Sequence, residues 1–477
     1  MPRNISPLRL RCAHQAALRV GNRSGTAVVI GAGMSGLLAA RVLAETFARV
    51  LVLERDTLPH GPEFRPGVPQ SRHVHVVLAR GTQIYEELFP GLHAELGDAG
   101  ASFIDCGYAQ VLFPRGWAIP TQSGMPLLLA SRLLLETHVR RRVAALDGVE
   151  IRDATRVSAL CFDASGATVV GVRATCRGSS LHQEPTSTIE ATLVVDASGR
   201  CSKLTDWLHT SGRSRPQETV VDARLGYASR LYELPEHRRT DPAVFAELLH
   251  APDLPRGYSA IRIEGGRLLV TLQGAAGHHP PHDQEGFTAF VRSLRSPLHQ
   301  MLQDLRPTSP IYRFARTSSR KVAYHRISDW PGGLIALGDA VCSFNPVYGQ
   351  GMTVAGIEAL LLRDLLARGR DVTAVGCRRF QRQLARAIAW PWLLATFADR
   401  GWQEGHHPDP VMRCAEWYMD QWLGAIPGNS AMFVRFLRVA HLLAGPGALL
   451  HPVVLTRIFT GAVGASGDLS VTQTKQT

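Results

Sequence analysis

The chain has 477 residues, of which 45% are hydrophobic and 19% charged, with a formal net charge of +12. That balance excludes a wholly disordered chain, a coiled coil and a collagen, and it suits a globular protein of two or three domains. Five arginines (Arg3, Arg9, Arg11, Arg19, Arg23) precede Gly25 with no acid among them, so the body carries about +7 (12 minus 5), a modest charge that suits anionic cofactors and substrates better than nucleic acid.

Residues 1–24 lack the apolar run and cleavage site of a secretory signal and read as a disordered basic arm. The clearest segment follows, at 26–56. A short buried-strand run at 27–30 leads into a glycine turn, a helix over about 35–46 and a second strand at 50–53. This β-α-β unit predicts a parallel sheet covered by helices. Residues 58–70, rich in Pro and Gly, are loop. Residues 80–96 and 133–146 read as helices, with strands between 103 and 121. A β-meander is expected over 149–176, then a buried strand at 189–195 ending in Asp196-Ala197-Ser198-Gly199. Residues 221–234 and 259–273 alternate apolar and polar, as in an antiparallel sheet with one wet face.

Residues 334–337 form a third buried strand. A long helix follows, with Val354, Ile357, Leu361, Leu362 and Leu365 on one face. The remainder to about 459 is mostly helical and holds Trp390, Trp392, Trp402, Trp417 and Trp422, more as core than as pocket. A charge-free run at 439–456 is interrupted by Gly445-Pro446-Gly447 and Pro452, so no transmembrane span is expected. The eight cysteines are scattered without a C-x-x-C and read as reduced thiols of a cytoplasmic protein. Cys161 and Cys176 sit at unequal distances from a turn at 163–166 and would not face each other.

Gly31-x-Gly33-x-x-Gly36 lies between the first strand and its helix. Gly31 permits the tight turn, Gly33 lets a pyrophosphate approach the backbone, and Gly36 lets the helix pack on the strand. The helix N-terminus offers free N–H groups to the phosphates. Glu54, eighteen residues beyond Gly36, ends the second strand, where a carboxylate accepts ribose hydroxyls and repels a 2′-phosphate. The dinucleotide is therefore FAD or NAD, and this motif alone does not separate them.

A second motif lies about 300 residues later: Gly338-Asp339-Ala340, then Asn345-Pro346-Val347-Tyr348-Gly349-Gln350-Gly351-Met352. Here the chain resembles the FAD-dependent monooxygenases of the p-hydroxybenzoate hydroxylase class, whose second fingerprint is G-D-A followed by P-x-x-G-Q-G and a helix. The resemblance implies FAD, with Asp339 on the ribityl hydroxyls and the turn Pro346, Gly349, Gly351 and Met352 against the flavin ring. The helix N-terminus there would stabilise negative charge on reduced flavin. Arg55 after Glu54 fits that class. Arg132, opening a leucine-rich helix, matches the arginine that contacts the FAD phosphate–ribose region. Asp196-Ala197-Ser198-Gly199-Arg200 stands at the place of the class's D-G motif, with Ala for Gly.

Gly67-Val-Pro-Gln70-Ser-Arg72-His73-Val-His75, Phe89-Pro90-Gly91 and Trp330-Pro331-x-Gly333 resemble squalene-epoxidase-like bacterial flavoproteins, including polyene epoxidases of polyether antibiotic biosynthesis. Gly116-Trp117-Ala118-Ile119-Pro120 shares part of the W-x-W-x-I-P signature of flavin halogenases. Arg115 replaces its first Trp, and the stretch comes too early in the chain. His73 and His75 have no carboxylate or Cys at ligand spacing, so no metal is expected and they read as loop residues near the flavin.

The resemblance implies an α/β fold. A Rossmann-type FAD-binding domain with a parallel sheet (25–80, 125–204, 320–370) is interleaved with an antiparallel substrate domain (81–124, 205–319) and followed by a C-terminal helical region (371–477). It also implies a monooxygenase. NADPH or NADH would reduce FAD transiently, and a C4a-hydroperoxide would insert one oxygen atom into an electron-rich, hydrophobic small molecule. Without a visible base to ionise a phenol, epoxidation of a polyene or isoprenoid in secondary metabolism is the first reading. Aromatic polyketide hydroxylation, reduction of prenyl double bonds and flavin binding without turnover are the alternatives. No catalytic residue is assigned; O2 is the co-substrate, peripheral membrane contact stays open and so does the oligomeric state.

Overall fold

The computed structural model describes residues 24–176, 186–367, 369 and 371–450, so the basic arm and the chain beyond 450 lie outside it. Thr26–Ile30, Arg49–Leu53, Val149–Arg152, Leu193–Asp196 and Leu334–Ala336 build one parallel sheet. Val28 pairs with Leu51 on one side and Val194 on the other, and all three are sealed from solvent. A sheet covered on both faces has strands that read as continuous apolar runs, each buried Val or Leu contributing about 1.5–3 kcal/mol.

A second sheet orders Tyr312–Phe314, Gly226–Glu233, Arg267–Gly274, Arg256–Ile263, Val244–Glu247, Gln110–Phe113 and Gly116–Trp117. Its pairings are antiparallel except that of Val244–Glu247 with Gln110–Phe113. The fold is therefore α/β with separate parallel and antiparallel sheets, and helices Ala374–Ala387, Ala389–Arg400, Pro410–Ala425 and Ser430–Ala440 close the described chain.

Several expected elements differ in detail. The single helix over 80–96 is two, Ala79–Leu88 and Leu92–Asp98. Pro90 cannot donate a helical hydrogen bond, and Gly91 sits at φ 86°, a left-handed position that suits glycine. Val149–Arg152 leaves the meander for the parallel sheet, and the meander is Thr155–Phe162, Val169–Cys176 and Thr186–Glu190. Cys161 lies opposite Gly171 and Cys176 opposite Thr155, so the two thiols do not meet.

The expected wet face is missing from Arg267–Gly274, which is buried along almost its whole length. Phe287, Phe290, Val291 and Leu298 of two helices pack with its Leu268, Val270 and Leu272, while Thr271 and Gln273 face a cavity. In the long helix Gly351–Ala367, Val354, Leu362 and Leu365 are buried but Ile357 and Leu361 only half so. Small residues take the tightest contacts instead. A Cβ at Gly81 would meet Thr353 Oγ1 at 2.5 Å, and one at Gly356 would meet Ile84 Cγ2 at 3.1 Å, so Ala79–Leu88 lies close against this helix.

Candidate functional site

The first glycine turn has the local geometry its spacing predicts. Gly31 adopts φ 100°, and a Cβ there would sit 2.6 Å from Ala197 O. Gly36 is pressed against the turn, since a Cβ would lie 1.9 Å from Gly31 O. Gly33, the N-cap of helix Met34–Leu43, has nothing within 4 Å of a built Cβ: the space above it is open.

Glu54 is buried at the end of the second strand. Its Oε2 accepts from Ala32 N–H at 2.8 Å and its Oε1 from Asp56 N–H at 3.0 Å. Arg65, from the Pro/Gly-rich loop, pairs with Glu54 and Asp56 (each 3.2 Å) and with Glu136 at 3.0 Å. Burial alone would lower the Arg65 pKa, but Glu136, Glu54 and Asp56 together raise it. Arg132 donates through Nε and Nη2 to Glu136 Oε2, at 3.1 and 2.8 Å, one helical turn away. Arg55 is half-exposed and reaches Asp56 only at 4.0 Å.

The second turn abuts the first. Gly338 sits at φ 65°, and a Cβ there would lie 2.4 Å from Ser35 Oγ, in the first turn of helix Met34–Leu43. Gly338 N–H donates at 2.6 Å to Glu358 Oε2, and burial pushes this carboxyl up to about 8. Burial also raises Asp339, against the opposing pull of Arg200 and Arg132. Pro346 opens a short turn, Gly349 closes it at φ 64°, and Gly351 starts the long helix with nothing within 4 Å of a Cβ. Met352 is buried, and its carbonyl accepts from Tyr85 OH at 3.2 Å.

Beside this turn lies a cavity of about 1040 Å³. Pro346–Gln350 form one wall, the antiparallel sheet another (Val244, Ile261, Phe314), and the C-terminal helices a third (Trp390, Phe397, Phe433). The tryptophans divide between roles. Trp392 and Trp422 are buried core, whereas Trp390 and Trp402 line the cavity, so the expectation of a mainly core role holds only in part.

Residues 25–370 match the family model described as "FAD binding domain". The chain belongs to that family. It is 34% identical to Protein Rv3254 of Mycobacterium tuberculosis, over 89% of this chain and 91% of that one. It is 24% identical to Squalene epoxidase 4 of Arabidopsis thaliana, over 71% of this chain and 61% of that protein. Among solved structures it resembles the flavin-dependent brominase Bmp2 (15% identity, TM-score 0.65, covering 92% of this chain and 99% of that one). It also resembles PqsL, a probable FAD-dependent monooxygenase from Pseudomonas aeruginosa (17% identity, TM-score 0.52, 86% and 98%). At those identities the two structures share the fold with this chain.

The residues present fit the family's FAD. The N-termini of Met34–Leu43 and Gly351–Ala367 bring free N–H groups to open space over Gly33 and Gly351, where a pyrophosphate and a flavin ring have room. Gln350 Oε1, on the second turn, is buried without a partner. Glu54 has spent part of its acceptor capacity on Ala32 and Asp56, which aims the carboxylate and leaves lone pairs for ribose hydroxyls. Arg132 and Arg65 share Glu136, so a phosphate near them would meet an arginine already fixed in place.

His73 and His75 both line the cavity, and burial pushes them down to about 3 and about 4, so both are neutral. Among the described residues no group of three His, Cys, Asp or Glu could hold a metal ion, and no helix is long and apolar enough to cross a membrane. Trp117 lies on the edge strand Gly116–Trp117, outside the residues lining the cavity.

Asp399 was not found from sequence. Helix Ala389–Arg400 carries it to the cavity wall. There it accepts from Tyr348 OH (2.9 Å), Asn345 Nδ2 (2.8 Å) and Ser319 Oγ (3.2 Å). Burial, partly offset by these three donors, pushes its carboxyl up to about 6. An Asp inside the apolar run AWPWLLATFADR could be flagged as a buried acid, but its neighbours lie 51 to 80 residues away.

Proposed function

We propose that this member of the FAD binding domain family is a monooxygenase that uses NADPH or NADH to insert one oxygen atom from O2 into a hydrophobic small molecule, with epoxidation of a polyene or isoprenoid as the first reading. The observation that carries it is the apolar cavity walled by Pro346–Gln350. Bound FAD would supply the electron relay and the activated oxygen. The chain's part is to hold an apolar substrate against the second turn and to keep water out, which Trp390, Phe397 and Phe433 do from the helical side. The likeness to Squalene epoxidase 4 supports an isoprenoid.

The test is turnover of an added polyene under labelled O2 with either nicotinamide, read by mass spectrometry. One labelled oxygen atom in the product supports the reading. Saturation of a double bond without O2 would make the protein a reductase, a halide-dependent product would make it a halogenase, and a flavin that neither nicotinamide reduces would make it a carrier.

Asp399 favours a second reading, aromatic hydroxylation. Its carboxylate, reached through Tyr348, is placed to take a phenol proton and raise the ring's electron density. A base works deprotonated, so hydroxylation of a phenol should rise with pH through about 6. In Asp399→Asn that limb should vanish and kcat fall about 100-fold. A phenol turnover profile unchanged in Asp399→Asn would remove this reading.

A further inference from the structure

Eight buried side-chain polar atoms among the described residues have no hydrogen-bond partner, and four of them belong to residues lining the cavity: His73 Nε2, Tyr227 OH, Gln350 Oε1 and Trp390 Nε1. Gln350 stands on the flavin turn. The other three belong to residues in the walls of a mainly apolar chamber, where an unpaired polar group lowers stability unless a ligand answers it.

The hydrogen-bond chain behind His73 assigns the hydrogen of its ring. Val74 N–H donates to Thr271 Oγ1 at 2.9 Å. Thr271 Oγ1 lies 2.6 Å from Ser229 Oγ, and Ser229 Oγ lies 2.7 Å from His73 Nδ1. Thr271 then donates to Ser229, and Ser229 donates to His73 Nδ1. The opposite direction would leave two groups unanswered, the Thr271 proton and the Nε2 lone pair, where this one leaves a single hydrogen on Nε2. The imidazole is neutral, since burial pushes it down to about 3, so its one hydrogen is on Nε2. Tyr227 is held as a neutral phenol because burial raises it well above its ordinary value, and it too presents a hydrogen. The His73 ring is packed between Tyr227 and Phe314, with centroids at 5.8 and 5.6 Å, which fixes its direction.

We propose that His73 and Tyr227 form a donor pair that selects substrates carrying a hydrogen-bond-accepting oxygen (hydroxyl, ether or carbonyl) over hydrocarbons of the same size. The proposal rests on reading the cavity as the substrate site and narrows the substrate class to oxygenated lipophiles. A site that hydrogen-bonds an oxygen function discriminates strongly against the analogue lacking it, because its own buried donors are then left unpaired.

The test titrates the FAD-loaded protein with matched probes, naphthalene against 1-naphthol and squalene against 2,3-oxidosqualene, by equilibrium dialysis. The oxygenated member of each pair should bind at least about 10-fold tighter. Tyr227→Phe should reduce that preference about 10-fold with FAD content unchanged, and His73→Phe should do the same. Should His73→Phe fail to fold, Tyr227→Phe decides alone. Equal binding of both members by the wild-type protein, or an unchanged preference in Tyr227→Phe, overturns the proposal. So does loss of FAD from Tyr227→Phe, which would assign the phenol to the flavin. Binding is read without turnover, so a retained preference in a protein that inserts no oxygen would sink the proposed reaction and leave the donor pair standing.

Discussion

Gly33→Val is expected to yield a folded, colourless protein, and Gly36→Val no folded protein at all. The two glycines are three residues apart in one motif, yet their surroundings differ. Gly33 has φ −74°, a backbone conformation any L-residue adopts, and nothing stands within 4 Å of its built Cβ. A valine there meets no protein atom at that point; it fills the open space into which the pyrophosphate would come. Gly36 has no such freedom, because a Cβ 1.9 Å from Gly31 O and 3.3 Å from Val29 Cγ1 would push helix Met34–Leu43 off the sheet. Overpacking a core by a methylene or two already costs about 1–3 kcal/mol, and this clash is with backbone. Circular dichroism and thermal unfolding should show Gly33→Val close to the flavin-free wild type, with visible flavin absorbance gone and affinity for FAD at least about 100-fold weaker. A Gly33→Val protein purified with its full yellow colour would mean that the pyrophosphate does not cross this turn.

Why the glycines were legible and Asp399 was not is a matter of range. The strand, turn, helix and strand over 26–53 are encoded within one contiguous stretch, and the glycine spacing carries its own mechanism. The second turn was legible for the same reason. That the two turns touch, Ser35 against Gly338, follows from sheet order, with Leu193–Asp196 between Thr26–Ile30 and Leu334–Ala336. No local pattern states that order; the resemblance to a known class implied only that both turns serve one FAD. Arg65 shows the limit most plainly. It sits in a loop that composition marks only as irregular, yet it joins Glu54 to Glu136, 71 residues on, in a buried ion cluster. The apolar alternation of the antiparallel strands misled in the opposite direction. Period-two patterning reports a difference between two faces, and Thr271 and Gln273 supplied that difference while facing a cavity rather than bulk water.

A helical acid provides the second large effect. Glu358 is fully buried in helix Gly351–Ala367, its Oε2 holds Gly338 N–H, and its Oε1 has no partner. Burial is the main reason its carboxyl is pushed up to about 8, and the nearby Asp339 adds to it. An unfolded chain would release the same proton near the ordinary glutamate value of 4.5. Between those two values the folded state holds a proton the unfolded state has lost, so stability falls as pH rises. The contribution is complete below about 4.5 and gone above about 8. At 1.36 kcal/mol per pKa unit the total is on the order of 4–5 kcal/mol. Glu358→Gln has no proton to lose, and its amide oxygen can still accept from Gly338 N–H. The variant should match the wild type within about 1 kcal/mol at pH 5 and exceed its stability by several kcal/mol at pH 9, read as unfolding midpoints in denaturant. Asp399 is present in both proteins and cancels, so the difference reads Glu358 together with its coupling to Asp339. Parallel pH dependences in the two proteins would show that Glu358 is ionised in the fold. With Glu358 neutral, Asp339 has no second carboxylate beside it, and Arg200 and Arg132 work against the burial that raises its own carboxyl, at the place where the ribityl hydroxyls would be received.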